Sequence, residues 1–516
     1  MSKNIVVFSD GTGQDGGVRA EQRLSNIYKL YRACRIGPDS PIDPAKQISF
    51  YDPGLGTETT AAGLTPIVRR TQKMLASVAG NGITTNIADC YEFIINHYEP
   101  GDRIFLFGFS RGAYTVRALA NLLMLCGIPT DAAEHPVPRF RKATRDIAEE
   151  AVHDVLEHGA GHPREAFEEE RLELARRYRA KYGSDHQSGE TNRSNAAPYF
   201  IGVFDTVAAL GATGLRRTAL QAALVFSALA LGVAIALVPA ILIAAIASIW
   251  YSFWIFFALV LALGAAAGVM VLGHRQRRQL KKTIADFPKV GDKNSHYAEW
   301  KGEHFDRLLS IHVPYARSAN AIDETRKDFA RVPWGPTKAA PERVDGHIRF
   351  KQLWFAGNHS DVGGSYPETE SRLSDIALHW MIEEAVRLPE GLIVGPVQVN
   401  GAHLTGTLAE GPKLHLFPDA GGVQHCEVAA TKDVIAWRIP PRLHRWTGSL
   451  GYQVKLRDID PRAVVHPTVL ERFALEKARQ CTGTGPYRPE ALRSHESFAT
   501  YYFSPETQGD DASAQA

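Results

Sequence analysis

The chain has 516 residues, enough for one large domain with insertions or for two or three smaller ones, and its 45% apolar and 22% charged residues exclude global disorder. A formal net charge of +2 with no basic stripe gives nucleic acid nothing to bind. The cysteines Cys34, Cys90, Cys126, Cys426 and Cys481 are an odd, scattered set without a CxxC pair, which argues against a disulfide framework or a zinc site and fits a reducing compartment.

Met1-Ser2-Lys3-Asn4 leads straight into the apolar residues 5–8, too short for the core of a signal peptide and read as a first strand. That strand ends at Ser9-Asp10-Gly11-Thr12-Gly13, a turn composition. A helix is expected over residues 26–34, then a glycine-rich loop over 51–57. Residues 85–98 place Ile87, Tyr91, Ile94 and Ile95 on one helical face. Glu99-Pro100-Gly101-Asp102 turns the chain into an apolar strand, 104–107, and a further helix carrying Val116, Leu119, Ala120 and Leu123 is stopped by Gly127 and Pro129. Residues 139–198 read as a charged, solvated helical insertion. A core strand over 199–204 runs into Asp205 within the segment 199–217. Beyond an apolar block, soluble character returns in residues 274–400, with a strand-like run over 347–355 and a helix over 373–386. Residues 401–507 form an extension of short strands and turns, and 508–516 a disordered tail. Helices alternating with short apolar strands specify an α/β fold with a mainly parallel sheet.

The apolar block, 218–273, contains no formal charge over 56 residues. One helix needs about 20 apolar residues to cross a bilayer, so two crossings and a turn fit. Residues 220–240 and 249–272 each suit one span, with the turn between Pro239 and Ser252 and with Trp250, Tyr251 and Trp254 clustered near it. Arg216 and Arg217 precede the block, and Arg275, Arg277, Arg278, Lys281 and Lys282 follow it. Both flanks therefore face the cytoplasm, and the block is expected as a transmembrane hairpin inserted in the fold. A buried helical pair is disfavoured, because some face of a soluble helix normally meets water.

Gly108-Phe109-Ser110-Arg111-Gly112 is a GxSxG elbow lying between a strand and a helix, the setting such a nucleophile requires. A serine hydroxyl needs a base, itself oriented by an acid, and the order serine, aspartate, histidine points to Ser110, Asp205 and His359. His359 sits in a glycine-rich loop after a strand; His312 is the fallback base. The tetrahedral intermediate needs backbone N–H donors, expected from Arg111 and from Gly11 or Thr12. Asp10 and Asp361 order their loops by hydrogen bonding, or bind a divalent cation if they converge. Phosphoryl transfer at Asp10 is disfavoured, because the nucleophilic aspartate it needs two residues earlier is Phe8.

The segments FSDGTG, YDPGLGT, GFSRGAYTVRALA, FDTVAALG, AIDETRKDF, WFAGNHSDVGGSY and SDIALHWMIEEA resemble, in this order, the α/β-hydrolase domain family of type VI secretion phospholipase effectors and their uncharacterised relatives. The resemblance covers roughly residues 3–390 apart from the two insertions, and departs from the family at Asn320, where relatives tend to carry histidine. It implies an α/β-hydrolase-like domain in two parts, 1–138 and 274–400, and a lipase or phospholipase whose triad falls on Ser110, Asp205 and His359. The expected substrate is a membrane lipid ester at the bilayer, with no cofactor, calcium left open, and the catalytic domain on the cytoplasmic side of the inner membrane. For a secreted effector, a target membrane and a secretion-apparatus or immunity partner are the counterparts. The alternatives are a membrane-tethered esterase or thioesterase for soluble substrates and a catalytically silent membrane scaffold.

Overall fold

The computed structural model describes residues 2–11, 14, 23–54, 81–132, 135–188, 190, 193–207, 214–249, 252–300, 309–335, 342–428, 454–481 and 483–502. Thr12, the glycine-rich loop beyond Gly54, Trp250, Tyr251 and the tail 508–516 lie outside the described residues, as do the side chains of Arg216, Arg217 and Arg275.

Six strands make one sheet: β1 (Asn4–Ser9), β2 (Gln47–Asp52), β3 (Arg103–Phe109), β4 (Phe200–Phe204), β5 (Tyr315–Ala321) and β6 (Phe350–Phe355). Their spatial order is β6-β5-β4-β3-β1-β2, and every neighbouring pair is parallel. A parallel sheet is covered on both faces, so the strands read as continuous apolar runs. The alternation of side chains then separates them into two cores. Ile5, Val7, Ile104, Leu106, Ile201 and Val203 face an aliphatic core. It is completed by the helices α2 (Asn81–His97) and α3 (Arg111–Cys126). Val6, Phe8, Phe105, Phe107, Phe200 and Phe204 face the other side, against α1 (Asn26–Cys34) and the late helix Arg372–Val386. Register Phe8↔Phe107 puts those two rings 5.3 Å apart and stacked.

The charged insertion is not simply solvated. Its helix α4 (Lys142–Glu150) continues as a π-helical turn, Ala151–Leu156, and α5 (Arg164–Tyr182) follows. Ile147, Ala148, Ala151, Val152 and Val155 recur at helical spacing and enter the aliphatic core, together with Ala175, Tyr178 and Tyr182. The abundant charges occupy the outer face and hide this stripe in a reading by composition.

The apolar block forms α6 (Gly214–Ala247), with Pro239 inside it, and α7 (Phe253–Leu280). The segments Val225–Ala247 and Phe253–His274 are 23 and 22 residues long, apolar enough by length and composition to cross a bilayer. Their large apolar side chains face outward: Phe226, Ile235 and Ile246 are each 70% exposed. Between the helices the contact is made by small residues. A Cβ on Gly232 would lie 2.2 Å from the Gly264 carbonyl oxygen, and one on Gly268 2.3 Å from that of Ala228, so the backbones touch.

After α7, strand Lys281–Ala285 pairs antiparallel with Lys293–Tyr297 and docks on the insertion through Lys282 Nζ to Glu157 Oε2, 2.6 Å. The C-terminal extension builds a third core, in which Val469, Phe473, Tyr487 and Phe498 pack with Trp354 of β6. Trp354 N donates to Val464 O and His466 N donates to Trp354 O, which covers the sheet edge. This extension also corrects the reading of the cysteines. Cys426 and Cys481, 55 residues apart in sequence, form a disulfide with their Cα atoms 5.2 Å apart, while Cys34, Cys90 and Cys126 are free and buried. Spacing alone gives no sign of that contact, because the two segments meet only when the extension folds back.

Candidate active site

The residues expected to carry chemistry collect where the parallel strands end. Ser110 follows β3 and heads α3, with φ 58° and ψ −121°, a left-handed backbone that a non-glycine residue adopts only under constraint. Both flanking glycines are sterically necessary. A Cβ on Gly108 would lie 2.5 Å from Gly112 O, and one on Gly112 2.0 Å from Ser9 O. The elbow is fastened to the end of β4 by Ser110 N donating to Phe204 O (3.1 Å) and Val207 N donating to Ser110 O (3.4 Å).

Asp205 follows β4, is fully buried, and also has a positive φ, 34°. Its Oδ1 accepts from Ala321 N at 3.1 Å. Its Oδ2 accepts from His359 Nδ1 at 2.6 Å and from Arg457 Nη2 at 2.7 Å. Burial alone would raise this carboxyl, but the Arg457 guanidinium, His359 and the Ala321 N–H together hold it below the ordinary aspartate range.

His359 begins the short helix His359–Gly363, whose N-cap Asn358 and Asp361 form a reciprocal capping box. The His359 amide donates to Glu324 Oε2 at 3.2 Å. Its ring stacks on Phe109, the neighbour of Ser110, with centroids 4.6 Å apart, and meets Phe329 edge-on at 5.1 Å. A Cβ on Gly363 would strike the Phe109 ring at 1.9 Å, so glycine there admits this approach. With Nδ1–H given to Asp205, a neutral imidazole carries its lone pair on Nε2. His359 Nε2 is buried and has no hydrogen-bond partner, so it is not bonded to the Ser110 hydroxyl in this state. Resting active sites often hold such pairs loosely.

The remaining expected residues divide. The Arg111 N–H stands at the open N-terminus of α3, where amides lack partners within the helix. Gly11 does not offer a free donor: its N–H is taken by Asp10 Oδ1 at 2.7 Å. Asp10 Oδ2 accepts from Ser25 Oγ (2.5 Å) and Tyr51 Oη (2.7 Å), and burial raises its carboxyl to about 6 against those bonds. Asp361 accepts from Asn358 N (3.0 Å), His425 N (3.0 Å) and His425 Nδ1 (2.7 Å). The two aspartates thus have separate sets of donors, and each orders its own loop. His312 precedes β5 at the opposite end of the sheet, close to Arg193, Glu190 and Arg349 and away from Asp205. Asn320 lies in β5, accepts from Ser318 Oγ at 3.0 Å, and leaves its Nδ2 buried without a partner.

Two residues at the site escape a reading of the sequence. Glu324 lies in the segment AIDETRKDF, which carries a family resemblance but no assigned role. Arg457 comes from the C-terminal extension, 252 residues after Asp205, with no motif around it. Its Nε and Nη1 are buried without partners, and Arg331 lies near enough to feel both Arg457 and Asp205. Burial lowers the Arg331 and Arg111 guanidinium groups to about 10 each, so both remain charged at neutral pH.

A family model described as the type VI secretion phospholipase effector Tle1-like catalytic domain matches residues 3–236 and 267–384, more than half of the chain. The unmatched stretch between them falls inside the α6–α7 hairpin. The uncharacterised protein YEL023C of Saccharomyces cerevisiae is 25% identical over 420 residues, covering 75% of this chain and 57% of that protein. Among solved structures, an uncharacterised protein from Pseudomonas aeruginosa aligns at 14% identity and TM-score 0.30, covering 74% of this chain and 45% of that one. The Tle1 effector bound to the VgrG spike of the type VI secretion system aligns at 16% identity and TM-score 0.24, covering 71% and 52%. The chain spans about half the length of these relatives.

Proposed function

The chain belongs to the Tle1-like phospholipase effector family, and from that premise we propose that it is a membrane-associated serine hydrolase cleaving carboxylic esters of phospholipids. The observation that carries this reading is the buried Asp205–His359 pair with a partnerless Nε2, stacked on the residue before a strained Ser110. Ser110 Oγ attacks the ester carbonyl carbon while His359 Nε2 takes its proton. The oxyanion forms at the Arg111 N–H, with Thr12, which lies outside the described residues, the remaining candidate from the sequence for a second donor. Collapse expels the alcohol, which receives the proton from His359, and water releases the acyl group by the same steps in reverse. Asp205, kept ionised by Arg457, holds the tautomer and stabilises the imidazolium.

Phospholipid is preferred to a soluble ester on two grounds. The α6–α7 hairpin starts nine residues after Asp205, so a bilayer that takes it up lies close to the site. Arg111 and Arg331 supply positive charge for a phosphate headgroup. The basic residues Arg277, Arg278, Lys281 and Lys282 support a catalytic domain on the cytoplasmic face. The two apolar helices fit a resident membrane protein as well as an effector that enters a target membrane. Lipid analysis of membranes incubated with the wild type and with Ser110→Ala tests the proposal. Release of fatty acid and lysolipid by the wild type alone supports it, and equal release by both, or none by either, overturns it.

A further inference from the structure

On the flank where the chain leaves the hairpin, His158, Glu170 and His296 bring their ligating atoms within 4.8 Å of one another. None of them takes part in the triad. His158 follows the π-helical turn and opens His158-Gly159-Ala160-Gly161-His162, a loop with two left-handed glycines, φ 82° at Gly159 and φ 81° at Gly161. That backbone folds the loop onto the strand Lys293–Tyr297: Gly159 N donates to His296 Nε2 (3.1 Å), and Glu299 N donates to Ala160 O (3.1 Å). Glu170 reaches across from α5, its Oε2 2.7 Å from His158 Nε2. The His158 and His296 rings meet edge-on at 4.5 Å, and Phe167 stacks on His296 at 3.8 Å, which fixes the plane of that imidazole. Three ligand-type side chains from three separate segments therefore converge.

We infer that His158, Glu170 and His296 bind a divalent transition-metal ion, zinc being the first candidate. Two imidazole nitrogens and one carboxylate oxygen suit zinc, whereas calcium and magnesium call for sets made of oxygen alone. Because Gly159 donates to it, His296 Nε2 carries the lone pair that coordination requires. Zinc holds such ligands at about 2.0–2.2 Å, so the His158–Glu170 and Gly159–His296 hydrogen bonds give way to coordinate bonds after small side-chain rotations. Glu170 Oε1 accepts from Asn294 Nδ2 at 3.3 Å, a contact that orients the carboxylate from behind. The neighbouring cations do not oppose the ion strongly, since Lys282 is paired with Glu157 and Arg171 with Glu168. The ion would act as a clamp. His158 and Glu170 belong to the insertion packed against α3, the helix headed by Ser110, and His296 belongs to the strand pair that directly follows α7.

The test uses the full-length protein in detergent, stripped of metal and titrated with zinc chloride against a competing dye, and separately with cobalt(II). The wild type and Ser110→Ala should each take up one equivalent. His296→Ala and Glu170→Gln should bind it at least about tenfold more weakly. Cobalt(II) in the wild type should show the intense visible bands of a four-coordinate nitrogen and oxygen site, a readout that stands even if His296→Ala fails to fold. Zinc uptake by the wild type no greater than by Glu170→Gln, or a cobalt spectrum matching the hydrated ion, would overturn the assignment.

Discussion

Around Ser110 the protein buries charge, and along the α6–α7 hairpin it exposes hydrocarbon. Asp205 is 0% exposed while Ile235 and Ile246 are 70% exposed, an inversion of what water ordinarily enforces. Glycine serves both regions in opposite ways. At the elbow, Gly108 and Gly112 let one backbone fold so tightly that a serine is held in a left-handed conformation. In the hairpin, Gly232, Gly264 and Gly268 let two regular backbones touch, leaving the large side chains to face outward. The first region holds Ser110 in a fixed, strained conformation between the two packed cores. The second presents an apolar surface of the kind that meets a membrane or another protein.

Mutations in the buried region should give the largest effects. Ser110→Ala and His359→Ala should each lower kcat by about 10⁴- to 10⁶-fold on short-chain esters, and the double variant should lose little more, since the two act as one unit. Multiplicative losses in steady-state kinetics would separate the residues and break the triad. Asp205→Asn should follow, at about 10⁴-fold, with circular dichroism unchanged, because the imidazole would sit in the wrong tautomer.

Arg457→Met should act more mildly on turnover and more visibly on pH. Burial would raise the Asp205 carboxyl, but Arg457 and His359 hold it below the unfolded value, so its contribution to stability is present above the unfolded pKa and is lost as pH falls through the folded one. Removing the guanidinium takes away the charge that lowers Asp205, so the pKa of that carboxyl rises. The acid limb of kcat/KM should therefore move to higher pH, and the folded state should lose about 3 kcal/mol. An unmoved acid limb would leave Arg457 a packing residue only.

In the hairpin, a single change should do least. Gly264→Leu drives a side chain into Ala236 Cβ, 2.3 Å from the ideal Cβ position, and should splay the helices. The expected cost is about 1–2 kcal/mol of helix association, with hydrolysis of a short ester unaltered. A loss of short-ester turnover would show that the two regions are coupled more tightly than their separate cores suggest.

How far each region was legible follows from the same physics. The elbow is readable because strand, glycine, serine, glycine and helix are adjacent in the chain, and the hairpin because 56 uncharged residues admit few other fates. The helix Asn26–Cys34 and the strands around Ser110 and Asp205 were visible through apolar periodicity. Arg457 was not, since its partner lies 252 residues away and no local pattern marks a buried arginine. The same holds for the Cys426–Cys481 disulfide and for the apolar stripe of the insertion, hidden beneath charged residues. Gly11 was named as a donor from its place after a first strand, but the adjacent Asp10 carboxylate satisfies that N–H locally. The elbow, the hairpin and the serine, aspartate, histidine order were legible from pattern; contacts made by the returning C-terminal extension were not.

The most direct test replaces residues 218–273 with a short Gly/Ser linker and compares the product with the full chain on two substrates, a soluble short-chain ester and phospholipid in a bilayer. The shortened protein should be recovered without detergent, should hydrolyse the short ester at the rate of the full chain, and should lose its activity on the bilayer. Equal hydrolysis of bilayer lipid by both proteins, or a full chain that is itself soluble without detergent, would contradict the account.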